Sequence, residues 1–311
     1  MELRQLRYFV CVAQLRSFTM AAKSLAIAQP ALSRQVQSLE RELGTPLFQR
    51  HSRGISLTSA GELLLQRARS ILAEVENTKA AIGDSGAQLS GNHTLGMPIP
   101  VMPLLAEHLF LTCPSRHPGI SLNLIEGFSA LLPQWLLGGS IDLAILYAAG
   151  HPEISVTPLL TEQLYVVGAN SGRHAAVADY SLRDLANLPL IMPPRPHPMW
   201  DTLDAHGVHP RTHLDAGALG IMRQLALDGK GFVMFPLSTL HRDIASGALA
   251  AKPIKGPSLT RIVSLCHSRA RPPTASLLAM HRFVHREVQD LVNAGGWPGA
   301  SLLQSQGVQP G

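Results

Sequence analysis

Residues 18–43 constrain this chain most, because they predict two short helices joined by a tight turn. In the first helix, Phe18, Ala22 and Leu25 recur at helical spacing. In the second, an apolar stripe lies opposite a row of hydroxyl, guanidinium and amide groups. The stripe consists of Leu32, Val36, Leu39 and Leu43, and the outer row of Pro30, Ser33, Arg34, Gln37 and Arg41. A helix with these two faces suits the DNA major groove, where its outer side chains contact base edges.

The distribution of charge supports a polyanionic partner for this segment. Residues 1–60 contain eight basic and three acidic side chains, a net charge of +5 that equals the formal net charge of the whole chain. The remaining residues are therefore neutral in sum. Basic charge confined to a helix-turn-helix pattern favours nucleic-acid binding over an ordinary solvated surface.

Two short extended segments follow, at 45–50 and 53–58, and they predict a β-hairpin around a basic turn. As a wing, this hairpin would bring Arg50 and Arg53 to phosphates or to the minor groove. An ordinary surface hairpin is the alternative. The DNA contacts expected from both elements are Gln29, Pro30, Ser33, Arg34, Gln37, Arg50 and Arg53.

A long helix is predicted from residue 59, with Thr58 or Ser59 as its N-cap. Its apolar positions step by three and four residues, which is the spacing of a coiled-coil seam. The seam positions are Leu64, Ala68, Ile71, Val75 and Ile82. Since no other segment nearby offers a matching face, we expect this helix to pair with a second subunit.

Residues 1–85 resemble the LysR-type transcriptional regulators. The resemblance is carried by Leu6-Arg7-Tyr8-Phe9, Ala21-Ala22-Lys23-Ser24-Leu25, Gln29-Pro30-Ala31-Leu32-Ser33, Leu39-Glu40, Leu43-Gly44, Pro46-Leu47-Phe48, Arg50, Arg53-Gly54 and Leu57-Thr58-Ser59-Ala60-Gly61. It implies an N-terminal all-α winged helix-turn-helix, a long dimerising linker helix, and a C-terminal α/β effector domain with two lobes like those of periplasmic binding proteins. Residues 126–129, 136–147 and 195–197 resemble the subgroup around the nitrogen assimilation control protein.

The expected domains are a winged helix-turn-helix at 1–58, a linker helix and hinge at 59–91, and an effector domain at 92–294. Apolar runs that alternate between strand and helix character predict a parallel sheet in that domain. The chain is expected to cross between lobes near Thr161 and Cys266, which assigns 92–161 and 267–294 to lobe 1 and 162–266 to lobe 2. The Gly- and Pro-rich segment 295–311 is expected to be disordered.

Ligands of open α/β sheets bind beyond the carboxyl ends of the strands, here in a cleft between the lobes. Arg195 is a candidate for pairing with an anionic effector and His197 for a titratable donor. Many members of the family place Ser or Thr in the first loop to hold a carboxylate, whereas this chain has two prolines there. The full set of expected effector contacts is Pro98, Ile99, Pro100, Phe128, Ser129, Arg195, His197 and Gly217.

Other functional classes find less support. His206, His209 and His213 have metal-like spacing, but Gly207 and Pro210 interrupt any helix that would align them, and His281 and His285 lack a third ligand. No phosphate-binding glycine loop follows a strand, so no metal and no cofactor is expected. The rival interpretation is a solute-binding protein or an enzyme with a helical N-terminal appendage; neither an export signal nor a catalytic constellation supports it.

The expected setting is the cytoplasm, without a membrane segment, because the three cysteines are far apart and no long apolar run is present. The expected partners are a near-palindromic DNA operator, a small-molecule effector such as a carboxylate, and further copies of the chain. RNA polymerase is a further candidate. Dimer and tetramer both remain open at this point, as do the identity of the effector and the choice between activation and repression.

Overall fold

The structure is a computed structural model that describes residues 1–51, 54–83, 89–147, 150–210, 212–256 and 259–303. Three helices, a two-stranded hairpin and a long fourth helix form the N-terminal part. These elements are α1 (Leu3–Leu15), α2 (Phe18–Ser24), α3 (Gln29–Leu43), β1 (Phe48–His51), β2 (Gly54–Leu57) and α4 (Ser59–Gly83). Among the described residues, no helix combines the length and the apolar character that crossing a membrane requires.

Helix caps and the half-buried ring of Phe48 explain the shape of the N-terminal domain. The Ser17 hydroxyl accepts a hydrogen bond from the backbone N–H of Met20 at the start of α2. Gly44 ends α3 with a φ of 67°, a left-handed conformation that favours glycine. The ring of Phe48 lies 5.3 Å from that of Phe9 and 5.6 Å from that of Phe18, measured between centroids. The hairpin therefore packs against the helices, and the domain contains strands rather than helices alone.

The first part of α4 is buried by its own chain, which corrects the assignment of Leu64 and Ala68 to an intersubunit seam. Ala68 has no exposed surface and belongs to the core that α1 forms with Leu47, and Leu64 packs against that core. Farther along, Ile71 is 37% exposed and Val75 is half-buried. The side chain of Ile82 lies outside the described residues. The exposed part of the predicted seam thus begins only where α4 extends past the N-terminal domain.

The remaining elements form two lobes. In chain order they are β3 (Gly91–Pro98), α5 (Met102–Arg116), β4 (Ile120–Gly127), α6 (Leu132–Leu137), β5 (Leu143–Tyr147), β6 (Ile154–Gln163), β7 (Tyr165–Ala169), α7 (Gly172–Ala176), β8 (Tyr180–Ser181), α8 (Leu182–Leu185), β9 (Leu190–Met192), α9 (Pro198–Ala205), β10 (Thr212–Asp215), α10 (Leu219–Leu227), β11 (Val233–Phe235), a 3-10 helix (Leu237–Leu240), α11 (His241–Ala245), β12 (Leu249–Lys255), β13 (Thr260–Ser268), α12 (Ala275–Asn293) and β14 (Ala300–Leu302).

Lobe 1 is built on a six-stranded sheet with the order β14-β6-β13-β5-β3-β4. Strands β3, β4 and β5 run parallel, as the alternation of strands and helices predicted. Strand β13 is antiparallel to both β5 and β6, so the expected parallel arrangement describes only part of this sheet. The reason is that β13 returns from the other lobe and enters the sheet from the opposite direction.

Lobe 2 contains a four-stranded sheet with the order β11-β7-β12-β8 and a parallel pair of β9 and β10. Leu164 and Leu259 belong to its core, whereas Val263 and Leu265 belong to the core of lobe 1. The second crossing between the lobes therefore lies near residue 259, and the assignment of 260–266 to lobe 2 is wrong.

The segment after α12 is ordered as far as residue 303, contrary to the expected disordered tail. Trp297 is 2% exposed and lies in the core of lobe 1. Strand β14 pairs antiparallel with β6, with Ala300 opposite Glu162. Gly and Pro dominate the composition here, but one buried indole and three backbone pairs suffice to hold the segment. Residues 304–311 lie outside the described residues.

Candidate functional site

The outer face of α3 is exposed to solvent, whereas its inner face packs into the core of the N-terminal domain. Leu32, Val36 and Leu39 are buried, and their spacing leaves the opposite side of the helix in solvent. Of the expected contacts there, Ser33 is half-buried and the others are exposed: Gln29, Pro30, Arg34 and Gln37. The structure thus brings these five side chains to one surface, which is the geometry that reading a DNA groove requires.

The hairpin of β1 and β2 lies close to α3 because Glu40 connects them. The carboxylate of Glu40 accepts hydrogen bonds from the backbone N–H groups of Leu47, at 2.8 Å, and Phe48, at 3.2 Å. This acidic side chain of α3 therefore holds the hairpin and does not face a DNA partner. The side chain of Arg50 and the whole of Arg53 lie outside the described residues, so their expected contacts stay predictions.

A cavity of about 360 Å³ separates the two lobes. This volume lies at the small end of the range of roughly 300–1,000 Å³ typical of ligand pockets. Six of the expected effector contacts line it: Ile99, Pro100, Phe128, Ser129, His197 and Gly217. Two of the expected contacts do not line the cavity: Pro98, which is buried next to the lining residue Ile99, and Arg195. The loops after β3, β4 and β9 and the start of α10 therefore meet as predicted, although not every residue of them faces the cavity.

Arg195 is occupied by neighbours on the surface of lobe 2. Its guanidinium donates to the carboxylate of Asp204 at 2.9 Å and lies 4.3 Å from the ring centroid of Trp200. The hydrogen bond with Asp204 raises the pKa of Arg195, and the side chain is 55% exposed. The role expected of Arg195, pairing with an anion in the cleft, finds no support in this position.

Arg261 is the cation that the cavity contains instead. Its side chain is only 13% exposed and lines the cavity, and its Cζ lies 3.8 Å from the ring centroid of Tyr147, a second lining residue. Both Nε and Nη2 of Arg261 lie 2.7 Å from Oε2 of Glu162. Burial lowers the pKa of Arg261, but the neighbouring Tyr147 and Glu162 more than offset it, so the net shift is upward.

Arg261 and Tyr147 were not among the expected effector contacts, because both lie within strands and the expected contacts lie in loops. A signal was present, since Arg261 directly precedes the apolar run 262–266 and Glu162 precedes another at 164–167. Charged residues at the ends of buried strands commonly need a partner. Only the register of β13 against β6, which places Arg261 opposite Glu162, identifies that partner.

His197 is a fixed donor and does not titrate near neutral pH. Burial lowers its pKa to about 4, and the positive charge of Arg261 lowers it further than Asp201 raises it. Its Nδ1 accepts a hydrogen bond from the backbone N–H of Met199 at 3.2 Å, where it caps α9. The neutral ring must therefore carry its proton on Nε2. The expected titration of His197 near physiological pH is contradicted by this low pKa.

The polar groups that line the cavity are mostly donors. The guanidinium of Arg261 donates, as does Nε2 of His197, and the hydroxyls of Ser129 and Tyr147 can do so. The first turn of α10 has no side-chain cap, and its backbone N–H groups begin beside Gly217. The rest of the wall is apolar: Ile99, Pro100, Phe128, Met199, Leu219, Met222 and Phe235. The cavity is thus suited to a small, largely apolar molecule that presents acceptors at one end.

The histidines do not assemble a metal centre within the described part of the chain. No group of three His, Cys, Asp or Glu side chains there has the proximity that a metal ion needs. His267 and His281 are neighbours, with ring centroids 5.5 Å apart, and burial lowers the pKa of His281 to about 4. The described histidines therefore offer no reason to assign a metal.

Comparisons with known proteins agree with this geometry. Residues 3–62 match the family model of the bacterial regulatory helix-turn-helix protein, lysR family, and residues 86–289 match that of the LysR substrate binding domain. The HTH-type transcriptional regulator BbuR of Bordetella bronchiseptica is 29% identical over 94% of this chain and 92% of its own. The nitrogen assimilation regulatory protein nac of Klebsiella aerogenes is 36% identical over 62% of this chain and 63% of its own.

Solved structures share the fold along nearly the whole chain. Full-length OxyR from Pseudomonas aeruginosa has a TM-score of 0.71 at 23% identity and covers 98% of this chain and 99% of its own. Full-length CbnR in complex with its target DNA has a TM-score of 0.65 at 24% identity and covers 93% of this chain and 100% of its own. At these identities the likeness concerns the fold alone.

Proposed function

This chain belongs to the LysR family of transcriptional regulators, and we propose that it couples the occupancy of the cavity between its lobes to operator recognition by α3. The single observation that carries the proposal is the cavity between the two lobes, whose lining combines the donors of Arg261, His197, Ser129 and Tyr147 with apolar side chains. Closure of the lobes around a ligand would change how the subunits are arranged. By linkage, DNA must then alter effector affinity by the same factor.

The proposed partner of the N-terminal domain is a near-palindromic DNA operator, read by one α3 from each of two subunits. Its exposed Gln29, Arg34 and Gln37 are supported as base-edge contacts by their common face. The chain accordingly acts where DNA is, in the cytoplasm, and regulates rather than catalyses. RNA polymerase stays a proposed further partner.

The proposed effector is a small, largely apolar acid. Its carboxylate would accept hydrogen bonds from Arg261, His197 and Ser129, while its body lies against Phe128 and Met222. Because Glu162 already balances the charge of Arg261, the neutral donors and the start of α10 add to the affinity that the Arg261 hydrogen bond provides for an anion. In the first loop only Ile99 and Pro100 line the cavity, and since neither side chain is a donor, anion recognition is left to the other loops.

A thiol-based signal within the effector domain is disfavoured as an alternative. Burial raises the pKa of Cys266 to about 12, and burial together with Glu287 raises the pKa of Cys113. Redox-sensing cysteines are instead exposed and have a low pKa.

Benzoate is expected to bind the full-length protein more tightly than benzamide, its neutral analogue of similar shape, because the cavity offers donors to a carboxylate. Isothermal titration with both compounds measures the difference. The paired replacement Glu162→Met with Arg261→Met should weaken benzoate by about 100-fold, since it removes a charge-assisted hydrogen bond of roughly 1.5–3 kcal/mol.

Arg195→Ala is the matched control, because it removes a guanidinium of lobe 2 that is held outside the cavity by Asp204. Its benzoate affinity should stay within about twofold of wild type, because the side chain of Arg195 does not line the cavity and pairs with Asp204 instead. The proposed binding mode would be contradicted if Arg195→Ala lost as much benzoate affinity as the paired variant, or if benzoate and benzamide bound with equal affinity.

We further propose that α4 dimerises beyond the N-terminal domain, through Ile71 and Val75. Ile71→Asp is expected to dissociate the oligomer, because a carboxylate in an apolar seam loses its hydration. Sedimentation velocity of the full-length protein would then show a lower mass. Arg69→Asp, which places the same carboxylate at an exposed position on the other side of α4, serves as the control. The same mass for wild type and Ile71→Asp would remove Ile71 from the interface.

A further inference from the structure

The segment that follows α12 is an ordered part of lobe 1 although the family match ends at residue 289. It turns at Gly295, with a φ of 77°, buries Trp297 and then forms β14. Gly299 approaches Leu237 of lobe 2 so closely that a Cβ there would lie 3.2 Å from its Cδ1. The segment therefore lies against elements of both lobes beside the crossing strands.

The indole of Trp297 donates a hydrogen bond to a carboxylate that is itself buried. Its Nε1 lies 2.8 Å from Oε1 of Glu162, a residue that is 1% exposed. The same oxygen accepts a hydrogen bond from the hydroxyl of Ser238, which lobe 2 contributes. One carboxylate oxygen is thus held jointly by the C-terminal segment and by the second lobe.

The other oxygen of Glu162 holds the cation of the cavity. Oε2 accepts from Nε and Nη2 of Arg261, while the guanidinium stacks on Tyr147. The strands carrying these groups are adjacent: Glu162 lies opposite Ala300 of β14 on one side and Arg261 of β13 on the other. A continuous set of contacts therefore leads from Trp297 to the cavity wall, although Trp297 does not line the cavity.

We propose that Trp297 is a positioning residue for effector binding, acting through Glu162 on Arg261. This inference rests on the proposed function of the cavity. With both oxygens of Glu162 occupied, the carboxylate has one orientation, and Arg261 is held over Tyr147 with Nη1 not engaged by Glu162. Without the indole N–H, a buried charge loses a donor, and the carboxylate regains rotational freedom. Arg261 then samples several positions, which lowers its affinity for a carboxylate ligand.

The test compares Trp297→Phe with Leu302→Ala in the full-length protein. Trp297→Phe keeps an aromatic ring in the core and removes the donor, whereas Leu302→Ala loosens the packing of β14 without touching Glu162. The first readout needs no ligand. It is the rate at which the Nε–H proton of Arg261 exchanges with solvent, measured by NMR on protein with ¹⁵N-labelled arginine. The signal is assigned by its loss in the paired Glu162→Met, Arg261→Met variant.

Trp297→Phe is expected to accelerate this exchange about tenfold, the effect of losing one hydrogen bond to a charged group, and to weaken benzoate by a similar factor. Leu302→Ala should leave both quantities within about twofold of wild type. Ser238→Ala, which removes the other donor to Oε1, should act in the same direction as Trp297→Phe.

Equal exchange in Trp297→Phe and wild type would overturn the positioning role, and so would equal acceleration in Leu302→Ala, which would reveal only general loosening. If wild-type protein does not bind benzoate, the proposal of an acid effector fails, and the exchange measurement alone decides the role of Trp297. The two inferences can therefore fail separately.

Discussion

Arg34→Ala is expected to lower the ratio of operator affinity to random-DNA affinity by about 10- to 100-fold, because a base contact by arginine contributes roughly 1–3 kcal/mol of discrimination. Arg34 is exposed in the middle of the outer row of α3, beside Ser33 and one turn before Gln37. Fluorescence anisotropy with a duplex selected from random DNA by the wild-type protein, and with a scrambled duplex, measures the ratio at one salt concentration.

Arg41→Ala provides the matched control on the same helix. Arg41 is exposed in the last turn of α3, away from the end of the helix that enters a groove. Its loss should weaken the binding of both duplexes alike and lower the salt dependence of binding, as the loss of a phosphate contact does. If Arg34→Ala behaves in the same way as Arg41→Ala, Arg34 contacts the backbone and not a base.

Glu162→Met is expected to destabilise the effector domain by about 3–5 kcal/mol, because it leaves Arg261 buried without its partner. The replacement also deprives the indole N–H of Trp297 and the hydroxyl of Ser238 of their acceptor. Urea denaturation of the full-length protein, followed by Trp fluorescence, reports the unfolding of this domain separately from that of the N-terminal domain, since all three tryptophans lie after residue 130.

The paired variant Glu162→Met with Arg261→Met distinguishes the cost of an unpaired charge from the cost of lost packing. Replacing both members of a buried ion pair by apolar residues is often neutral, so the pair should recover at least half of the stability lost in Glu162→Met. A paired variant no more stable than Glu162→Met would show that Arg261 is not an uncompensated buried charge in the single variant.

The patterns that sequence analysis interpreted correctly are local or periodic. Ser17 and Gly44 act at the ends of helices through their nearest neighbours in the chain, and the stripe of Leu32, Val36 and Leu39 is buried as its spacing predicted. The expected family and the two-lobed fold class are confirmed by the family matches and the structural neighbours. The loops of the cavity were predictable because ligands of α/β domains bind beyond the carboxyl ends of the strands, and the loops after β3, β4 and β9 lie there.

The incorrect expectations all concern contacts between distant segments. The apolar seam of α4 predicts that an apolar surface covers it, but it does not identify that surface. Ala68 is in fact buried against α1 of its own chain. The direction of β13 depends on where the chain re-enters the sheet. Arg195 and Arg261 are chemically equivalent in the sequence, and only the positions of Asp204 and Glu162 separate a surface ion pair from a cation of the cavity.

The sequence by itself determined which face of α3 is polar and exposed, since the period of a helix and the types of its side chains suffice to separate two faces. It also determined that a basic N-terminal domain precedes a neutral α/β domain. Tertiary structure alone decided that Arg261 lines the cavity and that Glu162, Ser238 and Trp297 are linked to it, because strand register and the crossing between lobes bring these four residues together. Such long-range pairing leaves no local pattern, since each residue by itself is an ordinary polar or aromatic side chain in its own segment.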